Sequence, residues 1–240
     1  MRGKPGYKKM TTTTERLEEF RALYLEDLEK TVAYDEKVRQ RVYNIDAWKA
    51  LPTNISKANT NTPAVVIPGT THDTWVWSDQ HLFHKNIIRF CDRPFPTAEL
   101  MNQCLVGNYN NVVKPDDVCI WVGDVGFAGD DKINEVIKQM NGYKILIIGN
   151  HDFHHGKIRK LAFDEIHLLY YIQDDDAEII MTHYPMDNLP LHTTNVHGHI
   201  HQNVTGNDQH INVSVERIGY KPINIKEILT VAHKRAAMYG

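Results

Sequence analysis

Ile145–Asp152 reads Ile-Leu-Ile-Ile-Gly-Asn-His-Asp, and its last three residues can each ligate a metal, carry a proton or orient a proton carrier. Four more clusters of that kind are spread along the chain. They are Asp79-Gln80-His81 with His84 close behind, Gly123-Asp124, Thr182-His183, and His197-Gly198-His199-Ile200-His201. Singly, each reads as an ordinary turn, because Asn, Asp and Gly are common turn residues. Together they offer oxygen and imidazole donors and no cysteine, which selects divalent manganese, iron, zinc, cobalt or nickel over a soft-metal site. Asp79 and His81, two residues apart, can leave a strand end on one side as two donors to one ion. His199 and His201 repeat that spacing. The set exceeds what one tetrahedral zinc takes and suits two ions sharing a bridging carboxylate. Histidine is also the outlier of the composition: of 14 in the chain, 10 lie between His151 and His210.

Each cluster follows or closes an apolar run, so strand ends must position it. The β-branched run at Ile145 fits a strand buried on both faces, and the carboxyl edge of such a sheet is where ligands bind. The patterning predicts strands at 73–78, 118–122 and 145–148, and helices at 85–90, 97–110, 130–140 and 157–163. It predicts a hairpin of 166–172 with 178–182 around Asp174-Asp175-Asp176, short strands at 195–197 and 211–216, and a last helix over 225–237. This is an α/β domain of the mixed, α+β layered kind. Ahead of it, 1–51 reads as a helical appendage. Leu17, Phe20, Tyr24 and Leu28 form one stripe, and Val38, Val42 and Ile45 another, with Thr14 a candidate N-cap. The stripe is expected to pack on the domain behind it, with oligomerisation through this helix as the alternative. Residues 52–72, rich in Pro, Asn and Thr, read as a linker to the domain at 73–240.

At 240 residues the chain can bury a substantial core. No apolar run approaches the ~18 residues that span a bilayer, and the basic start runs into threonines instead of a secretory apolar segment. Three cysteines without CxxC spacing argue against a disulfide framework. A cytoplasmic, reduced protein with no membrane partner is the expectation. A net charge of −3 does not indicate a large nucleic-acid footprint, although Lys157, Arg159 and Lys160 form a local basic group.

In order and composition the five clusters resemble the signature of the calcineurin-like metallophosphoesterases: D-x-H, G-D, G-N-H-D/E, a single His, and G-H-x-H. Here they stand as Asp79-Gln80-His81, Gly123-Asp124, Gly149-Asn150-His151-Asp152, His183, and Gly198-His199-Ile200-His201. The stretch His84–Phe90, Thr182-His183-Tyr184-Pro185 and Asn212-Val213-Ser214-Val215 resemble a small bacterial and phage branch, whose members would act in a bacterial cytoplasm. The likeness covers about residues 73–230. It implies a four-layer α/β/β/α sandwich, two mixed sheets flanked by helices, with Asp79, His81 and His201 on a first ion and Asn150, His183 and His199 on a second. Asp124 would bridge both, manganese being the foremost metal. His151 would stay off the metals as general acid with Asp152 as its orienting partner, while hydroxide held between the ions attacks phosphorus. His84 and Arg89 would contact substrate, and His154, His155, His192 and His197 would form the rim. The block Gly123-Asp124-Val125-Gly126-Phe127 lacks the Asp-Arg of protein phosphatases, and Asp152 stands where they carry Glu. The expectation is therefore a phosphodiesterase acting on small, nucleotide-derived phosphoesters. A phosphomonoesterase, a nuclease on DNA or RNA, and a non-catalytic scaffold are the alternatives.

Overall fold

Alternate side chains along the first strands go to two different cores, and that alternation builds the architecture. The computed structural model describes residues 13–34, 72–154 and 157–239. In it β1 (Thr74–Trp77), β2 (Val118–Trp121) and β3 (Tyr143–Ile147) run parallel and adjacent. Val76, Val118, Ile120, Ile145 and Ile147 face one core; Trp77, Cys119, Trp121 and Leu146 face the other. β6 (Glu165–His167) adds parallel to β3, and β11 (Ile223–Asn224) antiparallel to β1, giving the order β11-β1-β2-β3-β6.

A second mixed sheet has the order β10-β9-β8-β7, from β7 (Tyr170–Asp174), β8 (Ala177–Thr182), β9 (Thr193–His197) and β10 (His210–Asn212). Ala177, Ile179 and Met181 meet the first sheet in the inter-sheet core, while Ile180 points outward. On the far side of the first sheet lie α3 (Ala98–Val112) and α4 (Asp130–Ile137), which bury Met101, Leu105, Tyr109, Ile133 and Ile137. Thr97 caps α3, accepting the Leu100 amide at 3.2 Å. On the far side of the second sheet lies α1 (Thr13–Tyr34). α5 (Ile225–Tyr239) contributes Ile228, Leu229, Ala232 and Ala236 to the inter-sheet core. The result is the expected four-layer α+β sandwich.

The α1 stripe is engaged within the chain. Leu17, Phe20, Tyr24 and Leu28 are all at most 2% exposed, against Ile180, Tyr171, Leu168 and Leu169. At roughly 1.5–3 kcal/mol per fully buried side chain this is several kcal/mol of gross stabilisation. Arg16 adds a two-pronged ion pair to Glu178 on β8, at 2.9 and 2.7 Å. The second stripe at Val38, Val42 and Ile45, the Thr14 cap and residues 52–71 of the linker lie outside the described side chains.

Two expectations are corrected. The segment 157–163 is not a helix: Lys157–Ile158 is strand β5, paired antiparallel with β4 (Phe153–His154). Its following amides are claimed from outside. Lys160 donates to Asp130 Oδ2, and Ala162 to Asn134 Oδ1, both on α4. Nor is 166–172 one strand. β6 belongs to the first sheet and β7 to the second, and the chain crosses between them at Leu168-Leu169, both buried in the core under α1. A mostly apolar run, broken only by His167, reads as one strand because periodicity cannot see a change of partner.

Candidate metal centre

The loops leaving β1 and β2 run side by side. Asp79 and His81 donate their amides to the carbonyls of Gly123 and Asp124, each at 3.1 Å, and Leu82 to Val125 at 2.9 Å. The second sheet is tied on through His199, whose amide meets Asp79 Oδ2 at 2.9 Å, while the Gly198 amide on His183 O at 3.0 Å joins the ends of β9 and β8. Five sequence-distant clusters thus converge at one edge of the sandwich. The packing leaves no room for side chains at two glycines: a Cβ on Gly198 would overlap Ser78 and Asp79, and one on Gly149 would overlap Asp124. Asp79, His81, Asp124, His199 and His201 all have φ between +50° and +68°. Left-handed backbone costs of order 1–3 kcal/mol at a non-glycine residue, and its concentration at one site points to function.

Two triads place donor atoms within 4.8 Å of one another: Asp79, His81 and His201, and Asp124, His183 and His199. Asp124 stands between them. Its Oδ2 is 3.5 Å from His81 Nε2 and its Oδ1 is 3.4 Å from His183 Nε2. Asn150 joins the second group, with Oδ1 3.1 Å from His183 Nε2. Partners behind the donors aim them. The contact of His183 Nδ1 with Val122 O at 2.8 Å makes that nitrogen the donor and leaves Nε2 facing the site. Glu216 does the same for His201 Nδ1 at 3.1 Å, and Ser214 Oγ donates to Asp79 Oδ2 at 2.9 Å.

The donor set fits divalent cations. Both ring nitrogens of His81, 1% exposed, lie buried without a hydrogen bond. An unsatisfied buried group costs roughly 1–3 kcal/mol, so such atoms call for a ligand. Burial pushes the His199 imidazole down to about 3 and His81 well below its usual range, so both keep a lone pair to donate. For His183 burial also lowers the pKa, but the facing Asp124 carboxylate outweighs it and lifts it to about 9. Burial would raise Asp124 in turn, and the imidazoles of His183 and His151 instead hold it well below the carboxylate range. A divalent cation competes with protons for these same lone pairs. Cys91, His201 and Glu216 also lie within 4.8 Å of one another, but the Arg93 guanidinium sits on Glu216 at 2.6 Å and disfavours a cation there.

His151 lies at the mouth of the centre. Its amide donates to Asp124 Oδ1 at 2.8 Å, its Nε2 is 4.0 Å from Asp124 Oδ2, and its side chain keeps 22% exposure. Asp152 takes a different place from the one expected of an orienting partner. Its carboxylate is fully buried and accepts the amides of Asp124, Val125 and Gly149 at 2.8–2.9 Å, so it clasps the β2 and β3 loops together. Burial and the charge of Asp124 push it up to about 6, against those donors. His84 lines the cavity beside His151, its ring stacked on Phe127 with centroids 4.4 Å apart. Arg89 is exposed on α2 (Lys85–Phe90), its guanidinium 5.4 Å from the Phe90 ring, and is not among the cavity-lining side chains. Of the expected rim, His154 lines the cavity and His155 lies outside the described residues. His192 instead binds Glu178 at 2.9 Å under α1, and His197 is buried against His210.

Three residues behind the site had no role assigned from the sequence, although Ser214 stands in the Asn212-Val213-Ser214-Val215 stretch. Arg93, with no side-chain exposure, donates to the carbonyls of Asp79 at 2.7 Å and Gln80 at 2.9 Å and to Glu216. No spacing rule links an arginine to carbonyls 13 and 14 residues upstream. Ser214 and Glu216 alternate with the buried Val213 and Val215, and that period of two was the available signal.

Among known proteins, the chain is similar to "Uncharacterized protein MJ1445" of Methanocaldococcus jannaschii, with 32% identity over 168 residues, 65% of this chain and 89% of that protein. Among solved structures it is similar to the protein of unknown function AQ665 from Aquifex aeolicus. That match has a TM-score of 0.56 at 28% identity and covers 67% of this chain and 99% of that one. No protein-family model matches the chain.

Proposed function

The chain belongs to the same family as protein MJ1445 of Methanocaldococcus jannaschii, and we propose that it is a dinuclear metal-dependent phosphohydrolase of the calcineurin-like metallophosphoesterase type. The observation that carries this reading is Asp124, one carboxylate whose two oxygens face histidines of two different donor triads. Asp79, His81 and His201 would hold one divalent ion, Asn150, His183 and His199 the other, and Asp124 both, with manganese the first metal to try. Bound ions supply the positive charge that clamps a phosphoryl group and acidifies water.

The chain's own residues do the rest. His151, beside the donors yet outside both triads, holds a proton for the leaving alkoxide, a step worth ~10²–10⁴-fold. Asp152 keeps the Asp124 and Asn150 loops in register through its three backbone bonds. The half-buried His84, its imidazole lowered to about 4 by burial and the neighbouring His151, is neutral and can hydrogen-bond substrate without adding charge. A net charge of −3 favours small phosphoesters over nucleic acid. The protein would work in the cytoplasm; no helix among the described residues is long and apolar enough to cross a membrane.

The test compares bis-p-nitrophenyl phosphate with p-nitrophenyl phosphate on protein stripped and reloaded with Mn²⁺. Diester cleavage that depends on metal is expected, with two ions bound per chain. His151→Ala should keep both ions and lose roughly 10²–10⁴ in kcat. Rates within a few-fold of the parent would remove His151 from the acid role, and a chain binding no metal would overturn the proposal.

A further inference from the structure

The cavity beside His151 is larger than a phosphate needs. It measures about 1250 Å³ and runs from His81 and His151 past His84, Phe90 and Phe127 to Gln202 and Asn203. Small-molecule sites typically occupy ~300–1,000 Å³. Phe90 and Phe127 are 59% and 54% exposed, among the few large apolar side chains that are. Phe127 is nevertheless held firmly. Its amide donates to Leu82 O at 2.7 Å, and the buried Arg159 donates to the carbonyls on either side of it, Gly126 at 2.7 Å and Ala128. Asp130 in turn fixes that guanidinium at 2.8 Å.

A solvent-facing loop tip has no need of a buried arginine on both its carbonyls. The effect is a rigid aromatic surface, which binds with little ordering cost. One face of Phe127 stacks on His84 with 17° between the planes, and the ring meets His151 edge-on at 5.4 Å. Phe90 stands edge-on to His84 at 6.3 Å. An aromatic wall therefore starts at the residue that would serve the leaving group and continues outward, where the leaving group must lie. The exposed amides of Gln202 and Asn203 line the same cavity.

Resting on the phosphohydrolase reading, we infer that this wall is a nucleobase subsite: the scissile phosphoester carries a nucleoside whose base stacks on the Phe127–Phe90 side while Gln202 and Asn203 meet its polar edge. Stacking on phenylalanine accepts any base, and an amide offers both donor and acceptor to a base edge. Asn203 Nδ2 already donates to Ile200 O at 2.9 Å, which holds that side chain in place; an alkyl group or a simple aryl ester lacks the polar edge that these amides would bind.

The test measures binding, not turnover. Calorimetry on the Mn²⁺-loaded full chain compares the 5′-methylenephosphonate analogue of adenosine monophosphate, in which carbon replaces the ester oxygen, with the same analogue of ribose and with phenylphosphonate. The adenosine compound should bind roughly 5- to 150-fold tighter than the ribose compound. Phe127→Ala should bring that ratio close to one while leaving the ribose compound unchanged. Phe127→Leu and Gln202→Ala, each lowering the ratio at least threefold, serve should the alanine variant fold poorly. Equal binding of the adenosine and ribose compounds, or of the adenosine compound and phenylphosphonate, would overturn the subsite and leave the metal centre standing. Failure of all three to bind, together with no phosphoester hydrolysis, would overturn the phosphohydrolase reading and this inference with it.

Discussion

Arg93→Met removes the support beneath the first donor triad, and its cost can be worked from the contacts. The guanidinium has no exposed side-chain area; Glu216, its ion-pair partner, has 4%. Besides Glu216 it satisfies the carbonyls of Asp79 and Gln80, the two residues that lead into His81. Breaking a buried ion pair from one side costs about 3–5 kcal/mol, mostly from the charge left behind. For a chain of this size 1 kcal/mol moves Tm by ~2–4 °C, so Arg93→Met should lower Tm by roughly 6–20 °C. The measurement is thermal and urea unfolding of metal-stripped protein, with Mn²⁺ titration on the folded variant. Arg93→Lys should fall between, since an ammonium cannot span the carboxylate and both carbonyls. Because the penalty lies in the orphaned carboxylate, Arg93→Met/Glu216→Gln should be less destabilised than the two single changes added, by at least about 1 kcal/mol. Arg93→Met within about 1 kcal/mol of the parent, or strict additivity in the double variant, would refute the reasoning.

Glu178 under α1 makes an acid-dependence prediction. Burial would raise its pKa, but hydrogen bonds from His192 and Arg16 outweigh that and hold it well below the carboxylate range. A depressed folded pKa gives stability that is present above the unfolded value of ~4.3 and lost as pH falls below it. The urea midpoint of Glu178→Gln should therefore lie closer to that of the parent at pH 3 than at pH 7, and an equal gap at both would contradict it. Gly149→Ala places a methyl against Asp124 and its backbone and should cost both ions, read as metal content per chain; two tightly bound ions would show that the loop can move aside. Tyr24 reaches the site from α1, its hydroxyl accepting the Tyr184 amide at 3.3 Å one residue after His183. Tyr24→Phe removes that acceptor, and should cost about 1 kcal/mol and weaken the second Mn²⁺ more than the first in a titration; equal effects on both would rule out the link.

The donor types were legible in the chain because ligand chemistry is local. Asp79 and His81, or His199 and His201, are two residues apart on one turn, so the chemistry they can do is set by their identity and spacing. The four layers were an implication of the resemblance that the five clusters carry; β2 and β8 are buried at every position, so no period of two announces them. What the sequence could not determine was partnership. The apolar run from Ile166 to Ile172 has no mark at Leu168 to say that it changes sheets. The polar side chains of Asp130 and Asn134, which claim the amides of Lys160 and Ala162 and stop a helix there, lie about 30 residues away. Asp152 sits next to His151 in the chain, yet its carboxylate turns to the backbone of Asp124 and Val125 because that is where unpaired amides are buried. Arg93, Ser214 and Glu216 acquire their roles only when β1 and the second sheet meet at one edge, and Arg159 and Phe127 only when two loops close together. Residue type and short spacing fixed which atoms could bind; the tertiary packing alone decided which buried groups each of them had to satisfy.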